Sequence, residues 1–187
     1  MELEQLKLNL KNTDHSIQSR YKFAALIHQN PNLLPKLLTI SKGTETPTSF
    51  KAMWVLEFVC KEHLDLLLPH ISNFLKTIQK LELQSAIRPA AKICEYLCVA
   101  YYDKNNNDII KGLTKNNREQ ITSICFDWLI NPKTKVASKA YSMSVLYWLG
   151  TEFTWIHPEL KLILEQQYLQ SSAAYKARAR MVLKKLK

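Results

Sequence analysis

Glycine is nearly missing from this chain, with three in 187 residues. Two-residue β-hairpin turns lean on Gly and Asn, so the scarcity argues against a sheet built from tight hairpins. It also leaves no glycine-rich loop to cradle a phosphate. Long apolar runs are absent too: none reaches the roughly 18 residues of a membrane span. The opening "MELEQLKLNLK" carries acids and no apolar segment, unlike a secretion signal. Four cysteines (Cys60, Cys94, Cys98, Cys125) lack the dense, regular spacing of a secreted disulfide framework. These absences predict reduced thiols, no membrane partner and a cytoplasmic location. Acids are sparse, 16 against 26 Lys and Arg, which leaves a net charge of +10 and a pI near 9.4. Such a field attracts polyanions without choosing among them.

What is plentiful is helix-forming. The chain is 47% apolar and rich in Leu, Ala, Lys and Gln, and its length suits one domain, residues 1–187. Caps, prolines and apolar periodicity place helices over 2–11 with 14–28, 31–42 with 48–63, 65–80 with 85–102, 117–130 with 134–150, and 157–169 with 172–186. A looser link, "YYDKNNNDIIKGLTKNN", separates the third pair from the fourth. The second helix of each pair opens alike: Lys22, Lys51, Arg88, Lys139 and Lys176 are followed by Ala24, Ala52, Ala90, Ala140 and Ala177. The spacings are 29, 37, 51 and 37 residues, the long one holding Asn105 to Asn107. Paired helices that cannot bury their apolar faces alone are expected to stack into a solenoid, with the small alanines allowing close approach. On the third second helix, Ala86, Ala90, Ile93, Leu97 and Ala100 fall on one stripe. Tyr175, Ala179, Val182, Leu183 and Leu186 do the same at the end of the chain. Pro89 is expected in a first helical turn and Gly150 in a left-handed C-terminal cap.

The stretch "WLINPKTKVASKAYSMSVLYWL", Trp128 to Leu149, resembles the turn and second helix of a HEAT repeat: an apolar helix end, an Asn-Pro turn, a Val, then a basic residue with Ala. Lys139 comes three places after Val136, where the HEAT pattern usually has an Arg immediately after it. The resemblance is clearest from Thr48 to Cys98 and from Trp128 to Leu186. It implies an all-α, right-handed α-solenoid of about five HEAT-like hairpins, whose second helices line a concave side. The chain is also similar to small bacterial HEAT-like proteins, some of which carry the label adenylosuccinate lyase. The lyase superfamily resembles helical bundles more than twice this length, with a Ser-Ser-x-Met-Pro-x-Lys-x-Asn loop. "SSAAYKARA" shares only the first two residues of that loop, which argues against lyase activity.

Chemistry-bearing constellations are few. Cys94 and Cys98 share a helix face, but Cys60 and Cys125 supply no matching second pair, so core packing is expected and no metal or cofactor. His15, His28, His63, His70 and His157 are scattered, with neither HExxH nor a nucleophile motif beside them, and capping or surface roles are expected. The tail holds Lys184, Lys185 and Lys187 where a helix dipole favours cations.

The aromatic and charged residues of the second helices are the candidates for a groove. They are Trp54 with Glu57, Glu95, and Tyr147 with Trp148, interleaved with Lys51, Arg88, Lys92, Lys139, Lys176, Arg178 and Arg180. Cations and flat rings in one groove suit phosphates and bases, or an acidic protein. The expectation is a non-catalytic binding or scaffold module. The alternative is an enzyme: an acid among rings is also similar to the cleft of HEAT-like DNA glycosylases, which would give Glu57 or Glu95 the task of stabilising a departing alkylated base.

Overall fold

A computed structural model describes residues 1–14, 16–43, 47–103 and 107–186. The described residues form eleven α-helices and no strand. In order they are α1 (Leu3–Asn12), α2 (Ile17–Gln29), α3 (Leu34–Ser41), α4 (Pro47–Glu62), α5 (Ile71–Ile78), α6 (Gln84–Tyr102), α7 (Asn107–Gly112), α8 (Lys115–Ile130), α9 (Val136–Leu149), α10 (Ile156–Tyr168) and α11 (Ala173–Lys185). Short polar side chains start several of them. Ser16 accepts from the Ser19 amide, and Ser172 accepts from that of Tyr175. Thr114 and Asn117 close a reciprocal capping box at the head of α8.

Helix neighbours follow chain order in two series. In one, α2 packs on α4, α4 on α6, α6 on α9 and α9 on α11; in the other, α1 packs on α3, α3 on α5 and α5 on α8. Within pairs, α3 lies on α4, α8 on α9 and α10 on α11. A single connected core runs from Leu6 and Leu10 to Ala179 and Val182. Its third stripe is as the periodicity requires, with Ala86, Ala90, Ile93 and Leu97 buried and Ala100 packed against them.

Several local expectations need correction. Between 64 and 70 the chain is a 3-10 helix, and α5 starts only at Ile71. Pro69 explains this, because an α-helix begun at 65 would need its absent N–H. The link after Tyr102 contains α7, with Ile109 fully buried. Pro89 is the sixth residue of α6, beyond the first turn. The Ser85 carbonyl it leaves without an i+4 donor accepts instead from Trp54 Nε1 at 3.0 Å. Gly150 is right-handed, at φ −66°. Its role is spatial: a Cβ there would lie 2.0 Å from Cδ2 of His157. Ala24, Ala52 and Ala90 are buried, but Ala140 is half-buried and Ala177 exposed. On α9 and α11 the fully buried small residues are Ser138, Ser142 and Ala179. His15, Asn105, Asn106 and Lys187 lie outside the described residues.

Candidate functional site

Two linked polar clusters occupy the α2–α4–α6–α9–α11 side. The first joins three helices. Glu57 on α4 is buried and accepts from Arg88 on α6, with Oε2 to Nη2 at 2.7 Å and Oε1 to Nη1 at 3.4 Å. From α2, the Arg20 guanidinium lies 4.6 Å over the Trp54 ring and 5.7 Å from that of Phe58. Burial lowers the Arg20 pKa, as does the neighbouring Arg88 charge, while Glu57 and Asp14 oppose both. The aromatic face replaces part of the hydration that the cation loses.

The second cluster begins one turn along α6. Lys92 donates to Glu95 at 2.7 Å and lies 4.9 and 4.8 Å from the rings of Tyr96 and Tyr141. Arg178 of α11 reaches the other oxygen of Glu95 at 3.7 Å. Burial, with the nearby Glu57 charge, pushes the Tyr96 hydroxyl up to about 12. Both acids are therefore held by cations of the same chain.

The remaining groove candidates divide by place. Lys51 donates to the carbonyls of Lys11 and Thr13, at 2.7 and 2.6 Å, and so serves the end of α1. Lys139 is buried at 8% exposure with no ion pair among the described residues, and burial lowers its pKa. Tyr147 stacks on His157 at 5.7 Å and lies beneath Lys185, while Trp148 stacks on Tyr102 at 6.2 Å. Tyr147, Trp148 and Arg178 border one small hollow with Lys185. Lys176 sits over Tyr168, and Arg180 is exposed on the far side of α11, next to Tyr168 and Leu169. Of the twelve candidates, six fall in the two clusters: Trp54, Glu57, Arg88, Lys92, Glu95 and Arg178.

A cleft of about 450 Å³ opens beside the first cluster. Arg20, Arg88 and Lys135 line it with Trp54, and no carboxylate is among its described lining residues. The heads of two helices border it, α6 through Gln84 and Ser85, and α9 through Ala137 and Ser138. Gln84 Oε1 accepts from the Lys135 amide at 2.8 Å and ties the two together. Sequence reading missed Arg20, Gln84, Lys135 and Ser138. In "SRYKFAA" the repeated basic position is Lys22, which is exposed, whereas Arg20, two residues earlier, meets Trp54.

All four cysteines are buried and free. The Cys94 thiol is pushed well up by its hydrogen bond with Cys125 and by burial; burial raises Cys60 and Cys98 as well. Among the described residues no group of three or more His, Cys, Asp or Glu could hold a metal ion, and no helix is long and apolar enough to cross a membrane. His157 Nε2 lies 2.9 Å from the Tyr147 carbonyl, and His28 and His63 stack ring on ring at 3.4 Å. Against known proteins, the chain matches no family model and no curated relative.

Proposed function

We propose that this protein is a non-catalytic binding module: a HEAT-like α-solenoid that holds a nucleic acid against the α2–α4–α6–α9 side. The carrying observation is the cleft lined by Arg20, Arg88 and Lys135, with no carboxylate among its described lining residues. The net charge of +10 supports it by raising the local concentration of polyanions and their rate of encounter. Two series of helices packed in chain order support the solenoid reading, since each pair then completes the burial of the next.

In this reading Glu57 and Glu95 are not catalytic acids. A carboxylate that stabilises a departing cationic base must meet it, whereas Glu57 is taken by Arg88 and Glu95 by Lys92 and Arg178. Glu57 ties α4 to α6 and orients Arg88 at the cleft, while Glu95 ties α6 to α11 through Arg178.

A gel-shift with single- and double-stranded DNA at two salt concentrations tests the reading. The expected result is a shift at low salt that weakens steeply as salt rises, because phosphate contacts release counterions. Absence of any shift at low salt would put an acidic protein, or no polyanion at all, in its place.

A further inference from the structure

We infer that the cleft between α4, α6 and the head of α9 is a binding site for a phosphate group; this rests on the polyanion-binding reading for the source of the phosphate, and on the cleft itself for the chemistry. Three cations converge there, Arg20, Arg88 and Lys135. Neither helix head at its border has a side-chain cap: Leu83 before α6 and Lys135 before α9 provide none. Uncapped amides at a helix N-terminus favour an anion.

An independent observation lies in the wall of the cleft. Ser138 is fully buried, borders the cleft, and its Oγ has no hydrogen-bond partner among the described residues. Thr134 and Ser142, four residues to either side, are also buried with partnerless hydroxyls. Ser138 and Ser142, one turn apart, share a side of α9, and Thr134 lies just before its N-cap. Buried hydroxyls are normally satisfied, so an unfilled one in a cationic cleft marks a place for an acceptor from outside. A tetrahedral oxyanion fits the donor set: guanidiniums, an ammonium, a hydroxyl and backbone amides, all offering hydrogens. The opposing charges that act on these cations are Glu57, paired with Arg88, and Asp14, acting on Arg20.

Trp54 is the base of this arrangement and no stacking platform for a nucleobase. Arg20 covers its ring, Phe50 packs against it at 4.8 Å, and its N–H is spent on Ser85. The site therefore reads the phosphate and leaves the rest of the molecule outside.

The experiment is calorimetric titration and thermal melting with inorganic phosphate, against sodium chloride of equal ionic strength, on the wild type and on Lys135→Glu and Ser138→Ala. Lys135 is exposed and its side chain holds no ion pair among the described residues, so that variant keeps the fold. Ser138→Ala removes only an unpaired hydroxyl. The expected result is stabilisation by phosphate beyond that by chloride, abolished in Lys135→Glu and weakened about tenfold in affinity in Ser138→Ala. Stabilisation equal to that by chloride, or unchanged in both variants, would overturn the site. A 5′-phosphorylated oligonucleotide is then compared with its 5′-hydroxyl counterpart. Tighter binding of the phosphorylated strand that is lost in Lys135→Glu assigns the phosphate to a strand end. Phosphate binding without oligonucleotide binding keeps the site, gives it to a small phosphorylated molecule and rejects the nucleic-acid reading. Oligonucleotide binding that ignores both substitutions and free phosphate rejects the site and keeps that reading.

Discussion

Arg118 grips Glu152 with two nitrogens, Nε at 2.9 Å and Nη2 at 2.8 Å, and so fastens the turn after α9 to the head of α8. Tyr102 adds a third bond to the same carboxylate, its hydroxyl donating at 2.9 Å, and the Tyr101 ring lies 4.2 Å from the guanidinium. Arg118 is buried, so removing it leaves a carboxylate whose surroundings were arranged around a cation. Arg118→Leu is expected to cost about 2 kcal/mol in urea unfolding, more than an exposed ion pair because Arg118 is buried, and less than a fully buried one because water reaches Glu152. Loss of less than ~1 kcal/mol would mean the turn is held by packing alone.

The same pair carries a pH dependence. The Arg118 hydrogen bonds hold the Glu152 carboxyl below its ordinary range, against the opposing effect of burial, and Tyr102 assists. A depressed folded-state pKa contributes stability above the unfolded value, about 4.3 for Glu, which is lost as pH falls through the folded value. Thermal melts from about pH 6 to about pH 3 should show the wild type losing more stability than Arg118→Leu over the acid end of that range. Parallel curves would exclude the linkage.

Gly150 and His157 should behave as a unit. An added Cβ meets the imidazole at 2.0 Å, and the ring is anchored by Tyr147 on two sides. Gly150→Ala is expected to destabilise by about 2 kcal/mol. His157→Ala in the same chain should recover part of that loss, which a double-mutant cycle on unfolding free energies measures. Additive effects would show that the glycine is needed for something other than space.

Pro89 and Trp54 form a second such pair, joined through the Ser85 carbonyl. Trp54→Phe leaves that acceptor without its donor and should cost about 1–2 kcal/mol. In a Pro89→Ala background the helix supplies its own N–H to Ser85, so the cost of Trp54→Phe should shrink. An equal cost in both backgrounds would assign it to lost ring packing against Arg20 and Phe50.

The thiols should resist modification until the chain unfolds. Cys60, Cys94, Cys98 and Cys125 are all buried, the thiols of Cys60, Cys94 and Cys98 are raised above the usual range, and only the thiolate reacts. A disulfide exchange reagent near neutral pH is expected to label none of them rapidly in buffer and all of them in denaturant. Fast labelling of any one in buffer would expose an opening motion in the α4–α6–α8 core.

Helix existence was legible in the sequence because apolar periodicity and caps act locally. Ser172 before α11 and the stripe from Ala86 to Leu97 are visible without any partner. The 3-10 segment at Leu64–His70 was legible in principle, since Pro69 forbids the α-helical bond expected across it. The cleft was not legible. Arg20, Trp54, Arg88 and Lys135 are spread over 115 positions and meet only when α2, α4, α6 and α9 pack in series. Lys51 shows the converse error: it stands in the repeated position, yet its partners are carbonyls at the end of α1. A repeated residue type marks a position in a helix pair, and the surrounding pairs decide what that position touches.

Fluorescence anisotropy of a labelled single-stranded oligonucleotide, titrated with the protein from about 50 to about 200 mM salt, tests the central claim most directly. Binding at the lower salt, with log K falling linearly against log salt and a shallower slope when Lys135 becomes Glu, is the predicted result. An oligonucleotide that stays unbound at the lower salt, or whose affinity ignores salt, would contradict a basic cleft built for phosphates.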